Sequence, residues 1–504
     1  MTYVLYPAYE ILYNPITFPA QQLKKNIFLI STYFPPLNAS ATRRIESFAK
    51  YWPRKDRRVI VITSNKPNSA LPKEFAENPL LKVRYVPYPY WIRAVYSTRN
   101  YLSGSDTGMN DIFSEKSSMF FFRQLGMKIE SMIKKTSDTF HYLIHPSLFW
   151  VKPAYKVVCA ELDSLSEDER RYSAIVASFP SIGPLIVGAK LAKKYDLPLC
   201  LDYRDLWIGT GKTVPSRVSP LRLLQPFNNY CRNRIENRAS AAVVVSEEQK
   251  KVHEQQSQLK VAVIPNGFDF SKKVENQHKT TKCVFPIIIR YLGLIYPPNR
   301  TPQPLFEALS NIHNAPRKMH VEFYGTHPDQ LLPLIQKSSC EAACSIYQSV
   351  PHRTSLELQQ SADLLLLLDW SDENIKGVLT GKVFEYLASG RPILLIGAPE
   401  QSELAKLVRA TDAGYVFGSD PKPIEEFMQK LIQSPQEYLK PRPISKIALQ
   451  YDRKLLAKKY LRLIDGLMKH KLLSHTKIPS QNYEKYKRLC IERMTIHEFN
   501  TSPK

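Results

Sequence analysis

Residues Asn26 to Thr63 read NIFLISTYFPPLNASATRRIESFAKYWPRKDRRVIVIT. Asn26 to Ile30 is a short apolar run behind Lys24 and Lys25, and Tyr33 to Ser40 is a proline-rich loop. Ile45, Phe48, Ala49 and Trp52 then keep the spacing of one buried helical face, and Arg58 to Thr63 returns as a second apolar strand. A strand, loop, helix and strand in that order predict a parallel sheet whose helices cover its faces.

The alternation continues outward from this start. Ala174 to Ser178 reads as strand, Ile182 to Lys194 as helix, Leu197 to Asp202 as strand and Ala241 to Ser246 as strand. VAVIPNGFDF from Val261 closes the first unit on a strand and an Asn-Gly turn, and the Lys-rich run Ser271 to Lys282 is an exposed connector. The pattern then restarts: strands at Ile287 to Leu292, His320 to Tyr324, Ser345 to Val350, Leu364 to Leu368 and Pro392 to Ile396. Helices are expected at Pro304 to Ile312, from Thr354, and at Lys382 to Ala388. Thr354 and Glu357 have the spacing of a capping box. Leu456, Tyr460, Leu463 and Leu467 make an apolar helical stripe, followed by a basic tail.

The expected organisation is an arm at 1–25, a first Rossmann-like lobe at 26–270, a linker at 271–285 and a second Rossmann-like lobe at 286–440. A C-terminal helix at 441–468 and a basic tail at 469–504 complete it. At 504 residues the chain is too long for one ordinary core, and 43% hydrophobic with 23% charged residues is globular composition. The stretch Ala174 to Ala189 is nearly free of charge but is broken by Pro180, Gly183 and Pro184, too short to span a bilayer. The opening MTYVLYPAYE lacks the basic start and apolar core of an export signal. Seven scattered cysteines, with no C-x-x-C, fit a reducing compartment without a structural metal. Cys340 and Cys344, one helical turn apart, read as core neighbours. A net charge of +24 points to an anionic partner: a phosphorylated substrate, an acidic membrane surface or a nucleic acid.

In doubly wound sheets, ligands bind beyond the carboxyl ends of the strands. The loop after the first strand has no glycine, so the dinucleotide fingerprint is absent there, and no Walker-type phosphate loop occurs. The richest stretch is GVLTGKVFEYLASGRPIL from Gly377. Thr380 can cap a helix, Gly381 allows close approach and Lys382 adds positive charge, a set suited to a diphosphate. Glu385, about one turn further on, can accept hydrogen bonds from a ribose diol.

On these segments the chain resembles the retaining glycosyltransferases of group 1, also called family 4, which have the two-lobed GT-B fold. The resemblance runs through NIFLISTYFPP with Arg43 and Arg44, DYRDLW at Asp202 to Trp207, ASAAVVVSEE, VIPNGFD, YLGLIYPPNR at Tyr291 to Arg300 and FEYLASGRPIL. It implies an α/β protein whose two doubly wound lobes face a cleft. It further implies sugar transfer from a nucleotide-sugar donor to a lipid-linked or surface-polysaccharide glycan, with retention of anomeric configuration.

The family carries two glutamates eight positions apart. Glu385 matches the second, which contacts ribose, whereas the first falls on Gly377, which puts the usual donor-sugar contact in question; Asp372 and Glu373 lie upstream. The resemblance places Arg300 and Lys382 on the diphosphate, Asp205 with Arg204 in the cleft near donor sugar or acceptor, and Tyr33, Pro35 and Pro36 in the acceptor loop. Base contacts fall near Ser349 to Arg353. The leaving phosphate takes the acceptor proton in the mechanism usually proposed, so no protein base is required.

No D-x-D motif appears, so no metal and no cofactor is expected, a helix dipole and basic side chains serving instead. A basic amphipathic segment, Met119 to Lys135, suits an anionic membrane surface. The expected location is therefore the cytoplasm, peripheral on the inner face of the membrane. A nucleotide-sugar epimerase of the same fold, a catalytically silent scaffold and a nucleic-acid-binding protein are the competing readings. The last lacks any aromatic-basic, helix-turn-helix or zinc pattern.

Overall fold

The computed structural model describes residues 24–37, 39–64, 71–90, 146–205, 207, 225–270, 285–371 and 379–475. The first lobe is a parallel sheet of β1 (Lys25–Ile30), β2 (Arg57–Ser64), β3 (Leu81–Val86), β4 (Ser173–Phe179), β5 (Leu199–Tyr203), β6 (Ala241–Val244) and β7 (Val261–Val263). Its strand order is β3-β2-β1-β4-β5-β6-β7. The central pairs are in register, with Phe28 opposite Ile60 on one side and Ile175 on the other. Residues of β4 are buried throughout, as helices on both faces of a parallel sheet require.

The second lobe repeats the plan with β8 (Ile287–Leu292), β9 (Met319–Tyr324), β10 (Cys344–Tyr347), β11 (Leu364–Leu368), β12 (Ile393–Ile396) and β13 (Gly414–Val416). The order is β10-β9-β8-β11-β12-β13, again all parallel. Strand order reverses between β1 and β4 in one lobe and between β8 and β11 in the other. The loops after those strands are therefore the ligand-facing ones. This is the expected pair of Rossmann-like lobes.

The helix Arg453–His475 starts later and runs further than the sequence pattern suggests, and it belongs to the first lobe's core. Leu456, Tyr460 and Leu467 are buried against Phe48 and Trp52 of the Ser40–Tyr51 helix. Trp52 stacks on Phe48 at 4.3 Å, and Tyr460 meets both rings edge-on at 5.0 and 5.2 Å. Trp52 Nε1 donates to the Ala457 carbonyl at 3.2 Å, and Arg57 pairs with Asp465 at 2.8 Å. The chain thus crosses between lobes twice, and the two crossings lie side by side, bridged at Phe268 and Asp452.

No turn forms at Asn266-Gly267. The glycine is needed for another reason: a Cβ there would stand 2.1 Å from the Tyr451 carbonyl of the returning crossing. Thr354 and Glu357 form no capping box, because their helix begins earlier, at His352 behind Pro351. Cys340 and Cys344 both pack on the second lobe's core. Among the described residues no helix is long and apolar enough to cross a membrane. The segment Met119 to Lys135 lies outside the described residues.

Candidate functional site

One wall of the cleft is the loop after β1. Phe34 is fully buried beside Phe75, anchoring the loop, while Tyr85 Oη donates to the Pro35 carbonyl at 2.7 Å. Thr32 Oγ1 donates to Ser181 at 2.7 Å, and Ser64 Oγ to the Thr32 carbonyl at 3.0 Å, tying the loops after β1, β2 and β4 together. Tyr33 and Pro36 are half-buried, and burial pushes the Tyr33 phenol up, with Arg204 and Asp205 as its charged neighbours. These contacts bring Tyr33, Pro35, Arg204 and Asp205 to one side of the cleft.

Arg204 and Asp205 follow β5. Arg204 Nη2 donates to Asp205 at 2.7 Å and Nη1 to Ser40 at 3.2 Å, while its buried Nε has no acceptor among the described residues. The Asp205 side chain keeps 47% of its exposure, so one carboxylate edge faces solvent. Arg44, one of the two arginines that carry the resemblance, is buried. Its guanidinium grips Asp202 at 2.7 Å and donates to the Ile264 and Pro265 carbonyls. Desolvation of either charge alone would be costly, so this pair holds α-helix and sheet together instead of meeting a ligand.

The opposite wall is built from the loops after β8 and β11 and from the start of the Lys382–Ser389 helix. Thr380 does not cap that helix; Gly381 is the cap residue and no side chain bonds the first turn. A Cβ on Gly381 would meet open space. Gly390, with φ of 69°, ends the helix in the left-handed region that favours glycine.

Lys382 Nζ donates to Tyr291 Oη at 3.1 Å and lies 4.3 Å from that ring's centroid. Its ammonium sits where a Cβ of Gly293 would be only 2.3 Å away, and Gly293 has φ of +134°. Burial first, and the Arg300 charge second, hold the Lys382 pKa well below the usual lysine range, with Glu385 opposing them. Arg300 is 7% exposed; its Nε donates to the Leu368 carbonyl at 3.0 Å, and its buried Nη2 has no acceptor among the described residues. Among the described residues neither basic group makes an ion pair, although Glu385 acts on Lys382 and Asp369 on Arg300 from further off. Two desolvated basic groups with unused donor capacity are suited to an anion with several oxygens.

Glu385 faces the same region. His352 Nε2 lies 3.0 Å from its Oε1, and Gln359 Nε2 donates to Oε2 at 3.1 Å. Burial would raise its pKa, but these bonds and the nearby Arg453 charge carry it below the usual carboxylate value. Glu385 is thus an ionised acceptor with a fixed orientation, next to the segment expected to contact a base. Sequence reasoning did not single out His352, Gln359, Tyr291 or Gly293, because each acts through a residue distant in the chain. Gly377, Asp372 and Glu373 lie outside the described residues.

Between the walls stands Tyr296, 46% exposed, stacked on Trp370 with ring centroids 5.5 Å apart. It feels the charges of Arg300 on its own lobe and of Asp205 and Arg204 on the other.

No protein-family model matches the sequence, and no curated protein matches it. Solved structures do match in fold. Sucrose-phosphate synthase from Thermosynechococcus elongatus superposes with a TM-score of 0.58 at 13% identity, over 90% of this chain and 100% of that one. The N-terminal domain of Candida albicans trehalose-6-phosphate phosphatase gives 0.56 at 10% identity, over 88% and 97%. Anabaena HepE in complex with UDP-glucose gives 0.52 at 13% identity, over 88% and 99%. At such identities the likeness concerns the fold, and it settles that point: the chain has the two-lobed GT-B architecture of glycosyltransferases.

Proposed function

We propose that the chain is a glycosyltransferase that moves a sugar from a nucleotide-sugar donor to a glycan or lipid-linked acceptor. The observation that carries this reading is the pair Arg300 and Lys382: two desolvated basic groups that make no ion pair among the described residues, at the strand-order reversal of the second lobe. A leaving nucleoside diphosphate gathers negative charge as the glycosidic bond breaks, and basic groups already in place, Lys382 in its protonated form once the anion binds, stabilise that charge. Glu385 is held as an acceptor for a ribose diol. Asp205, with its free carboxylate edge, orients hydroxyl groups from the opposite wall, beside Tyr33, Pro35 and Pro36.

The reaction retains anomeric configuration and draws its charge compensation from Arg300, Lys382 and the helix that begins beyond Gly381, without a metal. The net charge of +24 suits acceptors held on an anionic surface, and on this reading the chain works at the inner face of a membrane. HepE, of the same fold, carries UDP-glucose in its solved structure, which makes UDP the first nucleotide to try.

The test is thermal stability with UDP, GDP, ADP, CMP and dTDP, for wild type and Glu385→Ala. Saturation at about 100 times the dissociation constant adds roughly 2.7 kcal/mol, a readily measured shift. One nucleotide should raise the melting temperature of wild type alone. Donor hydrolysis and acceptor assays then separate transfer from epimerisation. If no nucleotide stabilises the chain, or if Glu385→Ala responds like wild type, the donor-site assignment is wrong.

A further inference from the structure

One carboxylate of the second lobe caps a helix of the first. Glu403 Oε1 accepts hydrogen bonds from the backbone N–H groups of Glu247 and Glu248 at 2.8 and 3.3 Å. These are the first two residues of the Glu247–Gln256 helix, whose own cap, Ser246, serves the N–H of Gln249 instead. Glu403 is in turn the first residue of the Glu403–Ala410 helix, capped by Ser402. Two helix N-termini from different lobes therefore meet here. Each carries about half a positive charge. They would repel, and the Glu403 carboxylate lies at their junction.

Both helix starts are tied to the cleft. In the first lobe, Gln249 Oε1 accepts from the Val245 N–H at 3.1 Å, and its Nε2 reaches the Arg204 carbonyl at 3.5 Å. In the second lobe, Ser402 Oγ donates to Asp369 at the end of β11 at 2.9 Å, and Asp369 feels the Arg300 charge. A single side chain thus couples the segment that presents Arg204 and Asp205 to the strand end beside Arg300. The groups facing Glu403 are the Ser246 hydroxyl, the backbone N–H groups of Glu247 and Glu248 and the Glu248 carboxylate from the opposite helix, and Tyr451 from the returning crossing.

We infer that Glu403 is a positioning residue that sets the closed register of the two lobes by capping the Glu247–Gln256 helix across the cleft. Its consequence for turnover rests on the transferase reading; the closure itself does not. An amide oxygen can accept the same N–H bonds without burying a charge, so glutamine preserves the cap. Alanine removes it, and lysine places a cation between two positive helix ends.

Small-angle scattering of the full chain without ligand reads closure directly. Glu403→Ala and Glu403→Lys should show a larger radius of gyration than wild type, with the lysine variant the more open. Glu403→Gln should stay compact, and all three should keep the wild-type melting temperature. With UDP as probe, affinity should be unchanged, because the anion site lies within one lobe. Turnover should fall on the order of tenfold in the alanine variant, the scale of a charge-assisted hydrogen bond, and recover with glutamine. Compact scattering from the alanine and lysine variants overturns the inference, as does a glutamine variant as open as alanine. If UDP binds no variant and wild type turns over no sugar nucleotide, the transferase reading fails, and the scattering still decides the cap.

Discussion

Replacing Gly293 by alanine should damage anion binding more than folding. The new Cβ would stand 2.3 Å from Lys382 Nζ and 2.6 Å from Cε. Ordinary contact begins at 3.4 Å, so the ammonium must retreat by about 1.1 Å, which breaks its 3.1 Å bond to Tyr291. The clashing atoms belong to the end of a flexible side chain, so the clash is relieved by moving the lysine and leaving the backbone in place. Retreat costs one charge-assisted hydrogen bond to a phosphate, about 1.5 to 3 kcal/mol, or roughly ten- to a hundredfold in the dissociation constant. The φ of +134° adds backbone strain of order 1 to 3 kcal/mol to the second lobe, seen as a lowered melting temperature. Calorimetric titration with UDP separates the two effects when Gly293→Ala, Lys382→Ala and the double variant are compared. The double variant should bind no more weakly than Lys382→Ala alone, since both changes act on one ammonium. Gly418→Ala, whose Cβ also meets open space at a glycine with no part in the site, is the control and should bind as wild type. Wild-type affinity in Gly293→Ala, or additive losses in the double variant, would refute the reasoning.

The depressed pKa of Lys382 predicts proton uptake on nucleotide binding. A bound diphosphate raises that pKa toward its usual range, so affinity should fall as pH rises between the depressed and ordinary values. Titrations in two buffers of different ionisation enthalpy should show the uptake in wild type and its loss in Lys382→Met. Arg44→Ala leaves Asp202 buried without its partner and should cost about 3 to 5 kcal/mol in urea unfolding. Arg44→Met combined with Asp202→Leu should cost less than the two single changes summed. Burial, with the Arg232 charge second, pulls His253 down to about 4, while an unfolded histidine titrates near its ordinary value. The unfolded chain therefore binds the extra proton, and stability is present above the ordinary value and lost as pH falls through 4. The loss is up to about 3 kcal/mol. His253→Phe, which can keep the packing on Tyr203, should flatten that part of the pH profile of unfolding.

Alternating apolar segments made most of both sheets legible, because a strand buried on two faces writes its burial into its own residues. β11 is five leucines, and β4 is buried at every position. The strands that escaped notice are those with weaker imprints. β3 sits at the sheet edge with Lys82 exposed between its apolar residues, and β13 has three residues. Capping was harder to read. Thr380 and Thr354 have the right chemistry at a helix start, but the backbone places Gly381 and Pro351 at the cap positions. A cap depends on one residue's dihedral angles, which a pattern of residue types does not fix.

The site divides along a different line. Lys382, Glu385 and Arg300 could be picked out because each carries its chemistry in its own side chain. Their partners could not. Arg44 meets Asp202 158 positions away, and His352 meets Glu385 across 33. Glu403 reaches Glu247 across 156. In each case the significant quantity is a distance set by the sheet order, which no local window contains. Sheet order nonetheless gives a rule that could be applied earlier. β4 and β11, each buried at every position, border the reversal in strand order, so the loop that follows each faces the ligand. For β11 that rule selects Asp369 and Trp370, which motif matching passed over and which lie directly beside Arg300.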